Sequence, residues 1–258
     1  MRKFLDYHKD AFQLVKKNLK GAFTSAGALA VAPAIVSSIP GINLLRPFVP
    51  MLLWPFGDAS MTPYVDAARG KETNFLKTTL KDGTGRYFSF IFIELIIRFL
   101  TFIVNLALCL IPIVRWFGFT CKVMQPQWLV FPRYLMHDHP ELGVGDAIKI
   151  SRKILKRHSW LLSFLGWSIT IIMWVLFVPL IWVLSLLCLV PIFTPVLLPI
   201  VIVLQVLRRF CTTVYNGSVM ALYYNDLKAE VDADPEARAE IDEAVEAAKA
   251  KAKAAAKA

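Results

Sequence analysis

Residues 160–187 and 191–210 form two apolar stretches separated only by the Pro191 region, and no other feature of this 258-residue chain limits its fold as strongly. A helix crosses a hydrocarbon core with ~20 predominantly apolar residues, and a backbone in lipid must satisfy its own polar groups. Four further stretches of this kind occur, at about 21–39, 42–57, 87–112 and 116–136. The six group as three hairpins with turns at Pro40-Gly41, around Arg115 and at the Pro191 region, because proline and glycine break helices. The predicted fold class is all-α: a polytopic integral membrane protein with about six transmembrane helices as three hairpins, flanked by basic interfacial helices. The first, second and sixth stretches are short or proline-rich (Pro33, Pro47, Pro50, Pro55, Pro195, Pro199). Re-entrant or broken helices there would leave four true spans.

Composition agrees. With 57% hydrophobic residues and a mean hydropathy of +0.54, the chain carries too little charge for an ordinary soluble domain. Lys and Arg outnumber Asp and Glu by 10, and the tail from Lys228 onward holds more acids than bases, so the whole excess lies ahead of it. Basic residues crowd the N-terminal segment (Arg2, Lys3, Lys9, Lys16, Lys17, Lys20), the loop holding Arg69, Lys71, Lys77, Lys81 and Arg86, and the loop from Arg133 onward. The presumed outer turns offer only Arg46 and Arg115. Positive loops stay inside, so a multi-pass protein of the cytoplasmic (inner) membrane is predicted, with both termini cytoplasmic. Such charges suit anionic lipid headgroups better than nucleic acid, which is not expected as a partner. Cys109, Cys121, Cys188 and Cys211 have no CxxC spacing and read as buried free thiols. The Ala-rich run GALAVAPA reads as part of a retained first helix rather than a cleaved leader.

The stretch DAIKISRKILKRHSWLLSFLGW, beginning at Asp146, leads into the fifth span. On a helix, Ala147, Ile148, Ile150, Ser151, Ile154, Leu155 and His158 fall on one side, and Lys149, Arg152, Lys153, Lys156 and Arg157 on the other. This basic amphipathic helix is expected to lie flat on the inner leaflet, the five cations as lipid-headgroup contacts and Ile150, Ile154 and Leu155 in the acyl boundary. Phe4, Ala11, Phe12, Val15 and Leu19 form a similar stripe at the N-terminus. A short repeat precedes each hairpin: Lys16-x-x-Leu19-Lys20, Lys77-x-x-Leu80-Lys81 and Arg152-x-x-Leu155-Lys156. The chain divides into a transmembrane helical domain, residues 1–228, and a charged Ala/Glu/Lys-rich cytoplasmic tail, 229–258. Asp234-Pro235 starts a helix in the tail, but Ile241 and Val245 are its only large apolar residues, so a solvated or partly disordered helix is expected.

The pattern A-x3-S-x8-W-x3-F-x-G-W, here Ala147, Ser151, Trp160, Phe164, Gly166 and Trp167, follows the polar turn HDHPE. With an opening Leu19-Lys20-Gly21 and a closing Ala221-Leu222-Tyr223-Tyr224-x-x-Leu227, it resembles the bacterial integral-membrane family known as domain of unknown function 975. The resemblance spans most of residues 1–228 and implies a membrane fold without implying an activity. Lys156-Arg157-His158-Ser159 departs from the glycine and small polar residues the family carries before the tryptophan. The membrane portion of some glycerophosphodiester phosphodiesterases is similar in style, but no soluble catalytic domain is attached here.

His137-Asp138-His139-Pro140-Glu141 is the densest cluster of candidate ligands. The i, i+2 histidines do not suit a helical zinc site, and turn chemistry outweighs metal binding. Glu94 and Arg98, at i, i+4 in the third span, pair on one face and form an intramembrane polar seam with Asn105 and Lys122, with Gln125 and Gln127 deeper. The tryptophans read as interfacial anchors. GxSxG, HExxH, P-loop and paired catalytic carboxylates do not occur in the loops. The expectation is therefore no enzyme, no cofactor and no metal. The favoured function is a scaffold or accessory subunit contacting anionic membrane lipids or a membrane protein partner. The alternatives are a transporter or export component using the seam, and an interfacial hydrolase built on His137 and His139.

Overall fold

The computed structural model describes residues 2–27, 48–109, 131–155 and 159–255, and among them the chain is all-helical, without strands. The elements are α1 (Phe4–Lys17), α2 (Leu19–Ala22) with a π-helical turn (Phe23–Gly27), α3 (Phe48–Ala59), α4 (Pro63–Ala68), α5 (Phe75–Gly85) and α6 (Tyr87–Cys109). After them come α7 (Pro132–Asp138), α8 (Val144–Leu155), α9 (Ser159–Leu187), α10 (Thr194–Ala233) and α11 (Pro235–Ala255). The turns at Pro40-Gly41 and Arg115, most of the first and fourth apolar stretches, Cys121, Lys122, Gln125, Gln127, Lys156 and Arg157 lie outside the described residues.

Among the described residues, two helical segments, Phe164–Leu187 and Thr194–Ala233, are long and apolar enough to cross a membrane. Only 6% and 11% of their apolar windows is buried, which separates them from core helices of a soluble domain. They are α9 and α10, packed against each other and turned at Cys188–Phe193, where Thr194 Oγ1 donates to the Cys188 carbonyl at 2.7 Å. Leu176, Leu180, Trp182 and Val183 on α9 and Val196, Ile200, Ile202 and Val203 on α10 project outward. At the α-helical rise α10 runs roughly 60 Å, and its character changes along that length. Beyond Arg208 and Arg209 its side chains turn inward, with Val214, Val219, Met220, Leu222, Tyr223, Tyr224 and Leu227 all buried. The apolar hairpin therefore stands on a packed body, and α10 belongs to both.

The body gathers α1, α4 and α11 on the lower part of α10, with α3 lying against α5 and α6, and α7 against α8. Its centre is aromatic: Phe131 stacks on Tyr223, Tyr134 tilts against Tyr224, and Tyr7 meets Tyr223 edge-on. Gly21 lets α2 approach α5 closely, since a Cβ there would lie 2.6 Å from Phe75 Cδ2. Asn74 caps α5 by accepting from the Lys77 amide at 3.1 Å. The α4 helix ends in a Schellman turn: Gly70 takes φ +76 and donates to the Ala67 carbonyl, and Lys71 donates to that of Asp66. That turn projects Arg69 toward α7.

Three sequence expectations change here. The α8 helix is amphipathic as expected, but Ala147, Ile150, Ser151 and Leu155 are buried among protein neighbours, so Ile150 and Leu155 do not sit in an acyl boundary. Lys149, Arg152 and Lys153 remain on its exposed side. The tail is helical, as expected, but not solvated all round: α11 places Val245 and Ala248 in buried positions and packs along α8 and α10. Lys249 lies 3.8 Å from Glu141 and Lys251 3.8 Å from Asp146, so small alanines and complementary charge dock a helix that has few large apolar residues. Pro132–Met136, assigned from sequence to the end of a span, is buried in the body. Cys188 and Cys211 are free and only partly buried.

Candidate functional site

A seven-residue helix, α7, carries three ionic side chains that each fasten a different pair of elements. Pro132 at its start supplies a preset φ where no amide donor is required. Arg133 and His137 are four residues apart and so rise from one face, with Asp138 beside them.

Arg133 is almost fully buried. Its Nη2 lies 3.0 Å from Asp58 Oδ2 on α3 and donates to Glu94 Oε2 on α6 at 3.3 Å. The other Glu94 oxygen accepts from Arg98 Nε at 3.0 Å. The expected Glu94–Arg98 pair is present, with two members that sequence reasoning missed, Arg133 and Asp58. Both Glu94 oxygens are occupied by cations, and Arg98 is half-exposed beside them. Asn105 lies further along α6.

His137 sits between two carboxylates, its Nδ1 2.7 Å from Asp82 Oδ2 on α5 and its Nε2 3.0 Å from Asp66 Oδ2 on α4. Thr62 donates to the same Asp82 oxygen at 2.7 Å. An imidazole whose two nitrogens both face carboxylates is held as a doubly protonated imidazolium. Burial opposes that charge, but Asp82 and Asp66 outweigh it and raise the His137 pKa. On Asp82, burial is outweighed by His137, Thr62 and Arg86, which hold the carboxyl below the usual carboxylate range.

Asp138 receives the Arg69 fork, Nη1 to Oδ1 at 2.7 Å and Nη2 to Oδ2 at 2.8 Å. Tyr224 OH and Lys228 Nζ, both on α10, donate to Oδ2 at 2.9 and 2.8 Å. Arg69 Nε also donates to Asn225 Oδ1 at 2.9 Å. Burial works against the Asp138 charge, but the Arg69 and Lys228 donors prevail and press its pKa far below the carboxylate range. Burial and the facing Asp138 charge raise the Tyr224 hydroxyl, so it stays a donor.

HDHPE is thus the end of α7 and the turn into α8, with His137 and Asp138 directed inward and His139 3.9 Å from Glu141. Asp138 and His137 are closed by their partners, whereas Asp58 Oδ2 and Arg133 Nε are buried in ionic contact without a hydrogen bond of their own. A nucleophile with an oriented base and a free reacting position does not occur in this arrangement, and among the described residues no group of three or more ligating side chains could hold a metal ion. What the geometry accomplishes is registration: α7 locks α3 to α6 through Arg133, α4 to α5 through His137, and α4 to α10 through Asp138.

His137 gives this network a pH dependence. Its folded pKa is raised, so its contribution is complete below the ordinary histidine value of 6.5 and is lost as pH rises through the folded value. The Asp82 contribution has the opposite sense, present above the ordinary 3.8 and lost as pH falls through the depressed value. Thermal unfolding of the protein in nanodiscs is expected to show a midpoint that declines on the alkaline side of neutrality. In His137→Gln that decline flattens and stability at pH 6 drops by ~1–3 kcal/mol, the range for losing hydrogen bonds to charged groups. An unchanged alkaline decline in the variant would assign it to another group.

No family model matches the chain, and neither a curated protein nor a solved structure is similar to it at the significance required.

Proposed function

We propose that this chain is a polytopic protein of the bacterial cytoplasmic membrane, with about six spans and both termini cytoplasmic, acting without catalysis as a scaffold or accessory subunit. The observation that carries this reading is the outward-facing apolar hairpin α9–α10 rooted in a body stitched together by buried ion pairs. The hairpin supplies a membrane anchor, and the body supplies rigid surface rather than a reactive cleft. Lys149, Arg152 and Lys153 lie exposed along α8. Together with Lys156 and Arg157 they would hold anionic headgroups or an acidic partner by charge alone, each worth ~1 kcal/mol near a charged leaflet. The transport alternative loses ground because each Glu94 oxygen already has a cation.

The test is extraction from the native membrane in a mild detergent, followed by mass spectrometry of what remains bound in stoichiometric amount. The expected result is a protein partner, or anionic lipid, whose retention falls when Lys149, Arg152, Lys153, Lys156 and Arg157 are changed to glutamine. Retention of neither, together with solute flux in proteoliposomes that Glu94→Gln abolishes, would overturn the scaffold reading in favour of transport.

A further inference from the structure

The sequence repeat K-x-x-L-K separates into two classes once the leucines are located. Leu19 and Leu80 are 51% and 47% exposed, whereas Leu155, in the third copy, is 2% exposed. In the first two copies the flanking lysines, Lys16, Lys20, Lys77 and Lys81, are exposed as well. These two copies are also neighbours in space. The α5 helix lies against α2 and the π-helical turn, with Gly21 closing directly onto Phe75. Leu76 and Phe23 extend the apolar part, at 44% and 61% exposed. Two adjacent elements therefore present leucines and a phenylalanine as one apolar patch ringed by lysines.

The height of this patch relative to the hairpin is set by one contact. The Phe23 ring packs on Phe210 with centroids 4.9 Å apart. Phe210 directly follows Arg208 and Arg209, which end the outward-facing apolar part of α10. Phe23 and its neighbours thus lie at the foot of the apolar hairpin, continuous with the surface that would face lipid. The base of α1 is held to the same hairpin through His8. His8 Nε2 lies 2.9 Å from Ser168 Oγ on α9, and His8 Nδ1 lies 2.7 Å from the Tyr215 hydroxyl on α10.

We propose that the first two K-x-x-L-K copies, with Phe23 and Leu76, form a membrane-contact patch that inserts Leu19, Phe23, Leu76 and Leu80 below the headgroups of an anionic leaflet while Lys16, Lys20, Lys77 and Lys81 engage the headgroup charge. This deepens, and rests on, the reading of α9–α10 as a membrane anchor. It also divides the labour among the basic helices: α8, whose leucine is spent on the protein core, contributes charge only. The occupant is a lipid surface because the patch joins the anchor at its foot and combines dispersed apolar side chains with one sign of charge.

The test uses spin labels at Leu19→Cys, Leu80→Cys, Gly145→Cys and Val183→Cys, each in the full chain with its four native cysteines changed to alanine, in nanodiscs of phosphatidylcholine with or without phosphatidylglycerol. Retained helical content and elution volume establish that each variant is folded. With anionic lipid, labels at positions 19 and 80 are expected to shift from nickel-accessible toward oxygen-accessible, the label at 145 to stay in water, and the label at 183 to be deep in both membranes. Changing the four lysines to glutamine should remove the anionic-lipid shift at 19 and 80 and leave 183 unaffected. Labels at 19 and 80 that remain in water while 183 is deep would overturn the patch and leave the anchor standing. A label at 183 in water would overturn both.

Discussion

Arg133→Met is expected to destabilise the protein by ~3–5 kcal/mol, the range for removing one partner from a buried ion pair. The size follows from what is left behind. Asp58 and Glu94 are both largely buried, and Arg133 is the cation that reaches both, at 3.0 and 3.3 Å. Methionine fills a similar volume, so lost packing contributes little, and the cost is that of a Glu94 carboxylate left with the half-exposed Arg98 and of Asp58, raised by burial to about 7, losing the cation that draws it down. Arg133→Lys should fall between wild type and Arg133→Met, because the charge is kept but a shorter ammonium does not reproduce the Nη2 reach to both Asp58 and Glu94. Adding Asp58→Asn to Arg133→Met should change little near neutral pH, because burial raises the Asp58 carboxyl and without Arg133 it takes up a proton, and should recover part of the loss only at higher pH, where that carboxyl ionises. Chemical unfolding in nanodiscs followed by circular dichroism measures all four. An Arg133→Met protein within ~1 kcal/mol of wild type would show that water already neutralises the cluster.

The same cluster shows how far the sequence could be read. Glu94 and Arg98 were legible as a pair because a helix places i and i+4 on one face, and the structure brings them to 3.0 Å. Their relation to Arg133 was not legible, because it depends on how α6 and α7 pack, 39 residues apart in the chain. His137 with Asp82, 55 apart, and Asp138 with Lys228, 90 apart, are hidden in the same way. A signal was nevertheless present: the segments between apolar stretches carry Asp58, Asp66, Asp82 and Asp138 as well as the cations that set orientation. The positive-inside argument counts only the cations.

Periodicity had a comparable limit. It identified α8 as amphipathic, but an apolar stripe states only that something covers it. Protein covers Ile150 and Leu155 on α8, while Leu19 and Leu80 stay exposed in the same five-residue pattern. For the tail, counting large apolar residues missed that a small residue can also be buried where helices pack, as Ala248 is on α11.

Asp138→Ala is expected to cost as much as the Arg133 change, ~3–5 kcal/mol, but to act on a different part of the molecule. The carboxylate is 8% exposed and accepts the Arg69 fork, Tyr224 and Lys228 together. Its removal leaves the Arg69 guanidinium with Asn225 as its remaining side-chain acceptor and strands the Tyr224 hydroxyl in the aromatic centre. The partners differ in weight, which provides an internal control. Lys228 is 35% exposed, so Lys228→Met exchanges a solvated contact and should cost only ~0–1 kcal/mol. Arg69→Met removes both arms of the fork and the Asn225 bond and should approach the full loss. Because Asp138 ties α7 and α4 to the lower part of α10, hydrogen exchange in Asp138→Ala should accelerate over residues 214–228 and in α11 docked beyond them. The upper apolar part of α10, held by its own helix and by α9, should exchange as in wild type. Acceleration spread evenly along α10 would mean that body and hairpin unfold as one unit and that the ionic helix α7 is not the joint between them.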